Sequence, residues 1–133
     1  MPVIFPVHPR TAKNLKKLGK LISDVHDVPP QGYLEFIYLI KNAKGVITDS
    51  GGITEETTVL GIPCLTLRDN TERPETVTMG TNELLGSNPS SLASALASVR
   101  AGTWKKGAIP PKWDGKAAIR IVQHLGKLLV LNT

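Results

Sequence analysis

The sequence predicts an α/β domain built on an open, mostly parallel sheet with helices packed on it. Three observations lead there. Short β-rich runs alternate with helical patterns along the whole chain. Two apolar runs, "GVIT" and "CLTL", are separated by one helix-length segment, and a parallel strand pair requires such a crossover. The breaks between runs carry Gly and Pro, as at "DVPPQG" and "GIP". With 133 residues, 41% of them apolar, the chain suits one domain over residues 1–133 with a core of its own. In sheets of this kind ligands bind at the carboxyl ends of the strands.

In chain order, "VIFPV" (Val3 to Val7) is a strand, and Pro6 marks its end or a sheet edge because proline cannot donate to a ladder. "TAKNLKKLGKL" sets Leu15, Leu18 and Leu21 against lysines, an amphipathic helix. A weak strand is expected near Leu21 to Val25. "YLEFIYLIKNA" repeats apolar residues at three and four and predicts a largely buried helix from Tyr33 to Ala43. "GVIT" and "CLTL" are two buried strands, joined by a helix from about Ile53 to Leu60 that stops at Gly61-Ile62-Pro63. A polar, turn-rich stretch follows, with a short strand at Glu83 to Leu85. A serine-capped helix covers Ser90 to Ala101, "GTWKKGAIPPK" is a Gly/Pro-rich connector, and the last helix carries Ala117, Ile121 and Leu125 or Leu128 on one stripe.

Composition excludes several classes. The net charge of +5 is spread along the chain, so no dense patch points to nucleic acid, while a small anionic ligand remains suitable. Cys64, the single cysteine, cannot form an intrachain disulfide and is expected to be a small buried hydrophobe in a reducing compartment. No apolar run approaches a membrane span, and "MPVIFPVHPR" lacks the layout of a signal peptide, which predicts a cytoplasmic protein. No His, Cys or acidic cluster has metal-ligand spacing, and no Ser-His-Asp set is visible.

The chemistry concentrates in "VITDSGGITEE", Val46 to Glu56. With a strand ending at Thr48 and a helix starting at Ile53, the loop Asp49 to Gly52 joins a strand's carboxyl end to a helix's amino end. Unpaired N–H groups and a partial positive charge favour anions there, and glycines let a diphosphate approach the backbone. Glycines in a tight turn can also be purely steric. With Gly52 as cap, Glu55 falls at the third helical position, where a carboxylate caps the turn. Glu56 lies near the apolar edge, where an unpaired carboxylate is expensive. Ribose hydroxyls or an ordinary salt bridge would satisfy it. Arg68 and Arg73, in "LRDNTERPETV", emerge on the same sheet edge and offer paired donors to phosphate, or pair with the loop's own acids. His8 follows the first strand, with Arg10 two residues on; before a proline its role is structural or at a strand-end site.

"PVHPRT", then "YLEFIYLIKNAKGVITDSGGITEETTVLGIPCLTLRDNTERPETVTMGTNELLG", then "WDGKAAIRI" resemble the carboxyl-terminal half of the non-hydrolysing UDP-N-acetylglucosamine 2-epimerases of bacteria and archaea. "TDSGGxxEE", "LRxxTERPE" and "GTN" at this spacing are specific together, and the match spans essentially the whole chain. The resemblance implies one Rossmann-like half of a GT-B-type two-domain fold. It implies elimination of UDP from UDP-GlcNAc to a glycal and re-addition after inversion at C2, giving UDP-ManNAc, in cell-surface polysaccharide biosynthesis. No cofactor or metal is expected. By the same resemblance Ser50, Gly51 and Gly52 hold the diphosphate, Glu56 accepts from the ribose, Arg73 contacts the nucleotide or its phosphates, and Phe36 packs beside the uracil. His8 faces the cleft and, in some members, a regulatory UDP-GlcNAc.

The family's amino-terminal half, with most of the groups that move protons at C2, has no counterpart in these residues. The chain alone is therefore expected not to epimerise, as a truncated frame, an isolated domain or half of a split enzyme. The implied partners are UDP-GlcNAc or UDP and the missing half, with homodimerisation left open and neither nucleic acid nor membrane involved. A stand-alone nucleotide-sugar binding module, a glycosyltransferase donor domain and a hydrolysing epimerase half are the alternative readings.

Overall fold

The computed structural model describes residues 2–18 and 24–130, which fall in two compact units, Met1–Leu39 and Ile40–Thr133. In the first, β1 (Val3–Pro6) and β2 (Val25–Val28) pair in parallel, Val3 opposite Val25 and Pro6 opposite Val28. Pro6 is the last residue of its strand, and the next N–H, from Val7, continues the ladder to the Val28 carbonyl at 2.9 Å. Helix α1 (Pro9–Leu18) follows, with Pro9 at the first helical position, where a missing N–H costs nothing. The strand expected near Leu21 to Val25 falls partly outside the described residues. The observed β2 runs later, into "DV", until Pro29 and Pro30 stop it.

Helix α2 (Tyr33–Asn42) corrects a second expectation. Only Ile40 is buried, while Leu34 is 77% exposed and Tyr33 and Tyr38 are 68% exposed, so the helix is not largely buried. Its apolar residues run nearly all round, and the described elements cover one side.

The second unit holds β3 (Val46–Thr48), α3 (Gly51–Leu60), β4 (Cys64–Thr66), α4 (Pro74–Thr78), β5 (Asn82–Leu84), α5 (Pro89–Ala101) and α6 (Ala117–Val130). Its sheet has the order β3-β4-β5, all parallel, with Val46, Cys64 and Asn82 in register. Parallel pairing is therefore universal among the described strands, in a two-stranded ladder in the first unit and a three-stranded one in the second. Strand β4 lies between two neighbours and is wholly buried. Strand β3 is an edge, so Ile47 is 45% exposed and "GVIT" is only half-buried.

Leu65 of β4 packs with Ala95 and Val99 of α5, surrounded by Leu85, Leu92, Leu96 and Trp104. Asn88, not a serine, caps α5, its side-chain oxygen accepting from Ser90 N–H at 3.0 Å. The segment after α5 is more than a connector. Trp104 Nε1 donates to the Thr81 carbonyl at 2.8 Å, Lys105 Nζ to the Val77 carbonyl at 2.7 Å, and Ala108 N–H to the Met79 carbonyl at 2.8 Å. Gly107 is what permits this: a Cβ there would lie 2.6 Å from the Gly80 backbone carbon. Cys64 is buried, and loss of water pushes its thiol pKa up, so it behaves as a small hydrophobe. On α6 the stripe residues Ile121, Leu125 and Leu128 are exposed, and Arg120 pairs with Asp114 just ahead of the helix. No described helix is long and apolar enough to cross a membrane.

Candidate nucleotide site

The helix after β3 starts two residues earlier than its glycines predict. Gly51 and Gly52 are its first two residues, and Ser50 is the cap. The Ser50 backbone is extended, its N–H donates to Thr48 Oγ1 at 3.0 Å, and its own hydroxyl makes no capping bond. The first turn contains no acidic residue. The unpaired N–H groups at this helix start form its positive end beside the Ser50 hydroxyl, with no carboxylate in the first turn, the arrangement that accepts an oxyanion.

Gly51 and Gly52 are not there to relieve a clash. Neither is among the glycines with positive φ, which among the described residues are Gly61, Gly86, Gly102 and Gly115. A Cβ on Gly52 would meet nothing within 4 Å, and one on Gly51 would meet only the Arg68 guanidinium, at 3.8 Å. Alanine would serve a helix better at both positions. Bare backbone here suits close approach by something outside the described chain.

The earlier helix start also corrects the role of Glu55. It stands at the fifth helical position, past the reach of a capping carboxylate, and its Oε1 accepts from Arg73 Nε at 2.5 Å. Arg73 thus pairs across to α3 and not with the acids of its own loop. Both partners are about half exposed, so Glu55→Ala should leave the melting temperature almost unchanged in a thermal scan. The same pair orients the guanidinium. Glu56 has the environment predicted for it: partial burial, and then the neighbouring Glu55 charge, raise its pKa above the ordinary carboxylate value. No ion pair to Glu56 is found among the described residues.

Arg73 is anchored from below by a buried polar chain that the sequence did not single out. Thr76 Oγ1 donates to the Arg73 carbonyl at 2.8 Å, Asn82 Nδ2 donates to Thr76 Oγ1 at 3.1 Å, and Thr66 Oγ1 donates to Asn82 Oδ1 at 2.6 Å. The chain runs from the central strand to the arginine loop. Its signal was the "GTN" triplet, whose asparagine enters a strand where an apolar residue would be ordinary.

Ser50, Gly51, Gly52, Glu56, Arg68 and Arg73 all belong to the second unit and follow the carboxyl ends of β3 and β4. His8 and Phe36 belong to the first. His8 is exposed, and its Nδ1 accepts from the Arg10 N–H at 3.3 Å, so the imidazole supports the start of α1. Phe36 is half-buried on α2. Among the described residues no cluster of His, Cys, Asp or Glu could hold a metal ion.

Parallel ladders with flanking helices, and a bare helix amino end beside two arginines, define a Rossmann-like half of a GT-B-type fold. Residues 1–126 match the family model described as UDP-N-acetylglucosamine 2-epimerase, and the chain belongs to that family. It is 46% identical over 130 residues to the UDP-N-acetylglucosamine 2-epimerase of Methanocaldococcus jannaschii, an alignment covering 92% of this chain and 34% of that one. It is 40% identical to the UDP-2,3-diacetamido-2,3-dideoxy-D-glucuronate 2-epimerase of Pseudomonas aeruginosa, over 96% of this chain and 35% of the relative. The M. jannaschii enzyme solved with UDP-GlcNAc and UDP superposes with a TM-score of 0.76 at 44% identity, over 95% of this chain and 36% of that one. The Neisseria meningitidis enzyme bound to UDP-GlcNAc gives 0.71 at 33% identity, over 96% and 36%. The chain thus spans about a third of the length of the relatives it matches.

Proposed function

We propose that this chain is the UDP-binding, carboxyl-terminal half of a UDP-GlcNAc 2-epimerase, which interconverts UDP-GlcNAc and UDP-ManNAc. The observation that carries the reading is the pair of helix-start glycines that the fold itself does not need. In this reading the Ser50 hydroxyl and the backbone N–H groups of the first turn of α3 bind the diphosphate. Arg73, oriented by Glu55, contacts the nucleotide or its phosphates. Glu56 accepts from the ribose hydroxyls; by the family resemblance Phe36 packs beside the uracil, and His8 makes a cleft or regulatory contact.

The reaction breaks the bond from C1 to the UDP oxygen as a proton leaves C2, giving a glycal. UDP then re-adds at C1 while a proton returns to the other face of C2. Charge grows on the departing diphosphate, so donors fixed on it favour the transition state over the ground state. The base and acid at C2 are assigned to the longer part that the relatives possess, which leaves the 133 residues alone with UDP affinity and no turnover. Formation of UDP-ManNAc by the purified chain would overturn that division of labour. The exposed stripe of α6 is assigned to contact with that other part. Supply of a nucleotide sugar for surface polysaccharide, in the cytoplasm, is the setting this reading implies.

Calorimetric titration with UDP tests the site. Arg73→Ala should weaken binding about tenfold to a hundredfold, the range for a hydrogen bond to a charged group. Glu56→Ala should weaken it as well, and unchanged affinity in both would remove the assignment. Glu56 must be ionised to accept both ribose hydroxyls fully. Its raised pKa therefore predicts that UDP affinity declines on acidification sooner than an ordinary carboxylate would make it, and that Glu56→Gln flattens this dependence. For stability the sign is opposite. The folded state holds the Glu56 proton more tightly than the unfolded chain, so this group's contribution falls as pH rises from its unfolded to its folded pKa.

A further inference from the structure

The opposite end of the β3-β4-β5 sheet, where the strands begin, carries a second feature that the nucleotide reading does not use. Lys44 precedes β3, Pro63 precedes β4 and Thr81 precedes β5, and these residues line a groove of about 630 Å³ at the strands' amino ends. That volume lies in the range of small-molecule sites. Its remaining wall includes Arg100, in the last turn of α5, and Trp104, Lys105 and Lys106 from the segment that follows. Four cations line the groove and no carboxylate does.

Two of the four cations sit on a fixed stretch of chain. Gly107 packs backbone against backbone on Gly80 and Thr81, and Trp104 Nε1 bonds the Thr81 carbonyl, which fixes the intervening Lys105 and Lys106 to the sheet edge. Lys105 is partly withdrawn from water, with Nζ on the Val77 carbonyl, and this desolvation lowers its pKa. Glu83 opposes that shift from the side of a separate, smaller groove that it shares with Lys105. The buried Thr81 hydroxyl, which has no hydrogen-bond partner, belongs to the same wall.

One effect works against an anion. Helices α3 and α5 both end at the groove, through Gly61 and Gly102. Each carboxyl end carries about half a negative charge, so the two together offset about one of the four cations. The surplus still suits a ligand with two or more negative charges, with the Trp104 indole as an apolar wall. We propose that this groove is a second anion site, for a small diphosphate-bearing ligand, distinct from the loop at Gly51 and Gly52.

The test is a titration of the full chain with inorganic pyrophosphate, followed by ¹H–¹⁵N correlation spectra. The Trp104 indole N–H, identified with Trp113→Phe, reports the groove, and the Gly52 amide reports the nucleotide loop. Pyrophosphate should shift the Trp104 indole saturably, and Arg100→Gln with Lys106→Gln should weaken that response about tenfold while leaving any Gly52 response unchanged. Both substituted residues are surface cations, and an unchanged spectrum elsewhere confirms folding. An indole signal that stays still, moves equally in the double variant, or follows sodium chloride at matched ionic strength would overturn the groove. A silent Gly52 amide beside a moving indole would count against the nucleotide loop alone.

Discussion

Gly52→Ala should bind UDP about tenfold or more weakly than the parent chain while melting at a slightly higher temperature. The two effects have separate causes. A Cβ at Gly52 enters open space, and replacing a helical glycine by alanine removes unfolded-chain entropy, which should add about 0.5 kcal/mol of stability. The same methyl occupies the space through which a diphosphate oxygen must approach the backbone N–H groups, so a charge-assisted hydrogen bond is lengthened or lost. Gly52→Val should weaken binding further. Calorimetry with UDP and a thermal scan on one preparation check both signs. Full affinity in Gly52→Val would mean that the glycines serve the turn after all.

Asn82→Leu should be strongly destabilising, by about 2 kcal/mol in urea unfolding, a large share of the 5–15 kcal/mol typical of a domain. Asn82 is fully buried and links Thr66 to Thr76. Leucine fills similar volume but strands the buried Thr66 hydroxyl, at about 1–3 kcal/mol, and takes away the amide donor to Thr76 Oγ1, whose own bond to the Arg73 carbonyl remains. The damage should also reach the site, because Thr76 holds the Arg73 carbonyl. Thr76→Val separates the two consequences. It keeps the volume, removes the bond to Arg73, and should lower UDP affinity with a smaller loss of stability.

The roles of the two glutamates show what the sequence could and could not convey. Burial of Glu56 followed from its place near the apolar edge of a helix, since helical period needs only an approximate start. The role of Glu55 depended on the exact start. Glycine has low helix propensity, so the sequence pattern places the start at Ile53; in the structure the helix absorbs both glycines and Glu55 turns to Arg73. Parallel pairing was legible because "GVIT" and "CLTL" bracket one helix. The edge position of β3 was not, because burial of a three-residue strand depends on which neighbours cover it. The docking of Trp104 and Lys105 was hidden for a similar reason. Their partners are backbone carbonyls 23 and 28 residues away, which no local pattern encodes.

The interior built to hold the arginine loop has a thermal consequence. Among the described residues the buried set contains eight polar side chains, seven threonines and Asn82, against six apolar ones. Unfolding such an interior exposes polar groups along with methyls, and polar exposure lowers the heat-capacity change that apolar exposure raises. The heat capacity of unfolding per residue should fall below the usual value of about 12–15 cal/mol/K. The stability curve is then shallow, and the chain should keep nearly constant stability over a wide span of temperature.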